Sequence, residues 1–204
     1  MRKLILFYFC IVLNIFVVIA QTVTENPTDI SPLLSGEVVP EAICNDKEGK
    51  EINIKSHING KATVLVFFRG GWCPYCNAQL SGLQQIEAEI AALGFQIVAI
   101  TPDKVSDIPV DIEKNKLTYQ LLSDSKMTVA QAFGIAYRNE KTIKNYNGLL
   151  QKASGEGHGI LPVPSVFIID KTGKILFEYI NPNITERLNE KVLLAILKEV
   201  RSKN

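Results

Sequence analysis

The stretch FFRGGWCPYCNAQL, Phe67 to Leu80, sets two thiols, Cys73 and Cys76, where an apolar run gives way to a helical pattern. Pro74 fits the first position of that helix, where its missing N–H costs nothing. Cys73 then sits at the positive end of the helix dipole, with unpaired backbone N–H groups aimed at its sulfur, and a thiolate is favoured over a thiol. Cys76 lies one turn into the helix, close enough to attack a mixed disulfide on Cys73 and release the product. The pattern points to dithiol exchange, with Cys73 attacking and Cys76 resolving. A fixed disulfide fits less well, because so short a loop constrains the unfolded chain very little. A zinc site needs a second ligand pair, and Cys44, His57 and His158 stand isolated in the chain, so no metal is assigned. Trp72 supplies an apolar wall beside the sulfurs. Pro164, just before the strand-like SVFIID, stands where a proline often takes a cis bond. That bond would expose the backbone of Val163 to an extended substrate, so Trp72, Val163 and Pro164 are expected to bind it.

The elements that must hold this pair can be read from periodicity. ATVLVFF, Ala62 to Phe68, is a short β-branched run between Gly60 and Gly70, as a central strand requires. The helix after it carries Leu80, Leu83, Ile86, Ile90 and Leu93 on one face and stops at Gly94. FQIVAIT is a second buried strand, which completes a right-handed strand, helix, strand unit, and Pro102 and Asp103 then signal a further helix. VVPEAICNDKEGKEINI reads as an edge hairpin turning at Gly49, YQLLSD as a short strand, and MTVAQAFG as a short helix. PSVFIID and KILFEYI form a hairpin around Lys171 to Gly173, and a last helix runs from about Ile184 to Arg201, facing Leu188, Val192, Leu193, Ile196, Leu197 and Val200 inward. Between the short helix and that hairpin, RNEKTIKNYNGLLQKASGEGHGILPV is expected to be a long loop, either a lid or a surface insertion.

The first twenty residues put Arg2 and Lys3 ahead of an apolar run ending at Ala20, the pattern of a cleaved signal peptide. Residues 21–36 read as a flexible polar leader, and 37–204 as one domain. Without residues 1–20 the chain has 20 basic and 21 acidic residues, a net charge of −1, which argues against nucleic-acid binding or a membrane role after cleavage. Export places Cys44, Cys73 and Cys76 in a compartment that permits disulfides, periplasmic if the cell has an outer membrane. Three is an odd number, and Cys44 reads as a core residue.

The leading hairpin, FFRGGWCPYC and PVPSVFIIDKTGKI together resemble the thioredoxin superfamily, and within it the peroxiredoxin-like branch of the alkyl hydroperoxide reductase and thiol-specific antioxidant (AhpC/TSA) family. The resemblance spans Val38 to the last helix. It implies a thioredoxin-like α/β fold, a central mixed β-sheet flanked by helices, with the N-terminal β-hairpin as an extension. Trp72, Cys73, Cys76 and Pro164 fall where thioredoxins have their tryptophan, nucleophilic and resolving cysteines and cis-proline, but their buried acid is Phe67 here. Aligned on Phe67 and Phe68, the peroxidatic position of peroxiredoxins falls on Cys76, their threonine is Cys73, and their peroxide-site arginine is Pro164. Arg69 is the residue available to replace a lost donor.

The leading expectation is an exported thiol-disulfide oxidoreductase that exchanges electrons with protein or small-molecule disulfides and thiols, without a cofactor. The alternative is a thiol-dependent peroxidase, an antioxidant enzyme with Cys76 as peroxidatic cysteine, Cys73 or Cys44 condensing with it, and an external thiol reductant. A third reading, not enzymatic, is a copper(I)-binding module of Cys73, Cys76 and His158.

Overall fold

A computed structural model describes residues 23–202, so the expected signal peptide lies outside the described residues. In chain order the elements are β1 (Ile43–Asn45), β2 (Glu51–Asn53), α1 (Ile54–Ile58), β3 (Ala62–Phe67), α2 (Pro74–Ala92), β4 (Phe95–Thr101), α3 (Ile108–Asn115), β5 (Gln120–Ser123), α4 (Thr128–Ala132), β6 (Ala136–Tyr137), α5 (Glu140–Ser154), β7 (Leu161–Pro162), β8 (Ser165–Ile169), β9 (Ile175–Ile180) and α6 (Glu190–Ser202). Seven strands form one mixed sheet in the order β2-β1-β5-β4-β3-β8-β9. β3 and β4 run parallel through the α2 crossover, while β8 lies antiparallel on the other side of β3. The β1–β2 hairpin sits at the edge as expected, its turn closed by Lys50 N–H on Asp46 Oδ1 and by Gly49 in the left-handed region.

Alternation along β3 sends its side chains to two separate cores. Val64, Val66 and Phe68 face α2 and α6, with Leu80, Leu83 and Ile90 of α2 and Leu193 and Leu197 of α6. Leu65 and Phe67 face α1 and α4, where Phe67, Phe133 and Phe167 meet with ring centroids 5.0 to 6.0 Å apart. Truncating any one of these rings to alanine costs about 3–5 kcal/mol.

Four expectations shift. The helix after Pro102 begins only at Ile108, preceded by a 3-10 turn over Val105–Asp107, because Asp103 is turned inward instead of capping. The last helix begins at Glu190, since Asn183 Oδ1 folds the chain before it into a turn by accepting from the N–H and hydroxyl of Thr185, and Val192 faces outward. The expected long loop contains the 15-residue α5, capped by Asn139 on the Thr142 N–H and ended by Gly155 in the left-handed region. The segment expected as a flexible leader is docked from Val23 onward: Thr24 pairs with Tyr137, and Val23, Ile30 and Leu33 pack on the second core.

Candidate active site

The end of β3 and the start of α2 build the site. Cys73 is the N-cap of α2 with extended backbone, and Pro74 follows as the first helical residue. Both sulfurs are buried, Cys73 at 1% exposure and Cys76 at none, and both are free thiols. The Cys76 thiol donates a hydrogen bond to the Cys73 sulfur, and that bond is the main reason Cys73 falls to about 6 against the pull of burial. The Cys76 backbone N–H and the charges of Arg69 and Arg187 add to it. Cys76 shifts the other way, well above the ordinary thiol range, because it gives its hydrogen to Cys73 and is buried beside the thiolate. The two sulfurs are thus set apart in role, a thiolate at Cys73 and a thiol at Cys76.

Two guanidiniums flank the pair. Arg69 leaves the end of β3 and is nearly inaccessible, stacked 5.0 Å from the Trp72 ring and 6.0 Å from that of Tyr146 on α5. Arg187 comes from the turn before α6, where its Nη1 donates to the carbonyls of Ile184 and Glu186, and its Nη2 reaches Cys76 Sγ at 3.4 Å. Among the described residues neither arginine pairs with a carboxylate, so the Cys73 thiolate is the negative charge they share. No local motif marks Arg187, which is 111 residues from Cys76 in the chain.

The loop between β3 and α2 is pinned from below. Gly70 has φ +137, and a Cβ there would fall 2.3 Å from Trp72 Nε1. Asp103 Oδ2 accepts from the Gly71 N–H at 2.7 Å, while Asn77 Nδ2 and Lys114 Nζ donate to the Gly71 carbonyl at 2.9 and 3.0 Å.

The remaining expected residues divide. Trp72 is half-buried and walls the site, with Tyr146 5.8 Å away as its unexpected partner. Val163 is buried, its N–H donates to the Ile135 carbonyl, and its carbonyl accepts from the Ser165 hydroxyl, so no backbone is left for a substrate strand. The bond before Pro164 is trans, as no cis peptide occurs among the described residues, and the Pro164 carbonyl is taken by the Asn181 N–H. His158 is held by its loop: Nδ1 accepts from the Ile160 N–H, which leaves Nε2 to donate to the Ser125 carbonyl. The copper(I) reading loses its third ligand, and the described residues hold no cluster of three His, Cys, Asp or Glu suited to a metal. Cys44 belongs to the core on the opposite face of the sheet from Cys73 and Cys76, and so cannot condense with either; burial first, then the charges of Asp124 and Asp46, push it up to about 12.

Residues 35–177 match the profile of the AhpC/TSA family. The peroxiredoxin Bcp of Escherichia coli strain K12 is 27% identical over 170 residues, 83% of this chain and 99% of that protein. The thiol-disulfide oxidoreductase ResA of Bacillus thuringiensis subsp. konkukian is 28% identical over 155 residues, 76% of this chain and 75% of that protein. Among solved structures, reduced Prx3 from Vibrio vulnificus in complex with hydrogen peroxide superposes with a TM-score of 0.68 at 19% identity, covering 81% of this chain and 99% of that one. The fold is therefore thioredoxin-like, with a seven-stranded mixed sheet flanked by helices.

Proposed function

The chain belongs to the AhpC/TSA family of thiol-based redox enzymes, and from that premise we propose that it is a thiol-dependent peroxidase whose attacking thiolate is Cys73. One observation carries the reading: the Cys73 sulfur is buried beside two guanidiniums that no carboxylate among the described residues neutralises, and its thiol is lowered to about 6. A sulfur this inaccessible suits a small peroxide better than the disulfide of a folded protein. The positive charges stand where an oxyanion forms.

In this reading the Cys73 thiolate attacks one peroxide oxygen and the O–O bond breaks. Sulfur keeps that oxygen as a sulfenic acid, and the other oxygen leaves with a proton as water or alcohol. Cys76 then attacks the Cys73 sulfur, a disulfide forms, and water departs. An external thiol returns two electrons and both protons. Arg187, already on Cys76 Sγ, favours the second thiolate as it forms.

This inverts the peroxidatic assignment expected from the aligned strand, which fell on Cys76. The test is the reaction of hydrogen peroxide with Cys76→Ser and Cys73→Ser. Cys76→Ser should consume one equivalent and trap as a dimedone adduct on Cys73, while Cys73→Ser should be inert. A Cys73→Ser protein that consumes peroxide as fast as the parent returns the role to Cys76. The likeness to ResA supports a second reading, thiol-disulfide exchange through the same pair. Disulfide reduction without any peroxide consumption would select it.

A further inference from the structure

Two carboxyls lie beneath the loop that presents Cys73, and the redox cycle makes no use of them. Asp103 follows β4 and Asp111 lies in α3, at 2% and 7% exposure. Asp103 Oδ2 accepts from the Gly71 N–H at 2.7 Å and from the Thr101 hydroxyl at 2.8 Å. The carboxyl of Asp111 fills the space beside Gly71, where a Cβ would fall 1.7 Å from Oδ1. Asp103 Oδ1 and Asp111 Oδ2 are buried and receive no N–H or hydroxyl from the protein. Burial raises both carboxyls above the ordinary carboxylate range, and the charge of Asp103 raises Asp111 further. Two carboxyls set against one buried turn with an unpaired oxygen each favour a proton held between them over two charges.

The surroundings bear on where that proton stays. Lys114, on α3, favours ionisation of Asp111, and Asp107, at the start of the same helix, opposes it. Lys152 of α5 faces the pair across a cavity of about 150 Å3 that Gly71 and Trp72 also line. Burial, then the charge of Asp103, raises Asp111 to about 7.

We propose that Asp103 and Asp111 are positioning residues that share one proton, and that this proton holds the Gly71 peptide and so sets Cys73 in its attacking geometry. Only Trp72 separates Gly71 from Cys73, and the Cys73 N–H is itself bonded to the Gly70 carbonyl at 3.1 Å, so a shift of the Gly71 peptide is passed to the sulfur. Loss of the shared proton leaves two adjacent carboxylates on one peptide, which repel each other and loosen the turn.

This inference rests on Cys73 being the attacking thiol, and its test does not require peroxide. The rate at which iodoacetamide alkylates Cys73 is followed by peptide mass spectrometry from about pH 5 to about pH 9. In the parent protein the rate should rise as the thiolate forms and then fall roughly three- to tenfold as the shared proton leaves. In Asp111→Asn the rise should remain and the fall should vanish. A parent rate that climbs to a plateau, or a fall that persists in Asp111→Asn, overturns the proposal. If Asp111→Asn does not fold, the infrared carbonyl band of a carboxylic acid decides: it should be present in the parent near pH 6 and gone near pH 9, and its absence near pH 6 overturns the proposal. A Cys73 unreactive at every pH removes the attacking-thiol reading and the inference with it.

Discussion

Arg187 reaches the thiol pair with one nitrogen while its other bonds go to its own turn, so it is both anchored and aimed. Arg187→Met keeps the stem that packs and deletes the charge. Cys73 should then titrate higher by up to about one unit, and its alkylation near pH 6 should slow by up to about tenfold, with the fall at high pH unchanged. The same pH-dependent alkylation measures it, and a titration that does not move would show that the Cys76 hydrogen bond alone holds the thiolate. Residues of this kind mark the limit of what the sequence shows. Cys73, Cys76, Trp72 and Arg69 fall within eight positions of one another, and local chemistry identifies them. Arg187, Asp103 and Asp111 come from three other elements, and only the packing of α3 and α6 around α2 makes them part of the site. The occupied backbone of Val163 has a comparable origin: its N–H bonds Ile135 and its carbonyl accepts from Ser165, neither of which local sequence can announce.

α5 is the element that most changes the picture of the site, because it lays Tyr146 on Trp72 and Arg69. Trp72 is the only tryptophan in the chain, so its emission reports whether that contact is intact. Tyr146→Ala should shift the emission to the red and lower the stability to urea by about 1 kcal/mol, the usual worth of such a ring pair beyond its buried area. An unshifted spectrum with an unchanged urea midpoint would mean that the helix is held by its ends alone. Those ends are well tied, since Lys104 bonds the carbonyls of Ala153 and Lys152, and Asn139 bonds Glu25. The helix was legible in part. Ile143, Tyr146 and Leu150 follow helical spacing, and Asn139 and Gly155 are good caps, but Gly148 and a run of polar residues hide the pattern. The strands were plain by contrast, because β3, β4 and β8 are buried on both faces and spell continuous apolar runs.

At the scale of the whole molecule, the buried carboxyl of Asp111 ties stability to pH. Its folded value of about 7 lies above the ordinary 3.8, so the folded form holds a proton that the unfolded chain has released. The stabilisation is complete below the ordinary carboxylate range and is lost as pH rises through about 7. Cys73, lowered to about 6 from 9.0, acts in the opposite sense and gains as pH rises, so the test belongs in a Cys73→Ser background. There, urea denaturation should show stability falling by roughly 1–2 kcal/mol between about pH 5 and about pH 8, with most of the fall absent once Asp111→Asn is added. An equal fall in both proteins would assign the effect to other groups. The sheet that divides the two cores also divides the thiols, with Cys44 sealed under α1 and α4 and the redox pair on the other side. Both sulfurs are nearly inaccessible, so modification of either waits for an opening: of the core for Cys44, and only of the turn between β3 and α2 for Cys73, which sits at a helix N-cap. One alkylation time course therefore carries two clocks, and the ratio of their rates tells, for any variant, whether lost activity reflects a damaged site or a chain that spends too long unfolded.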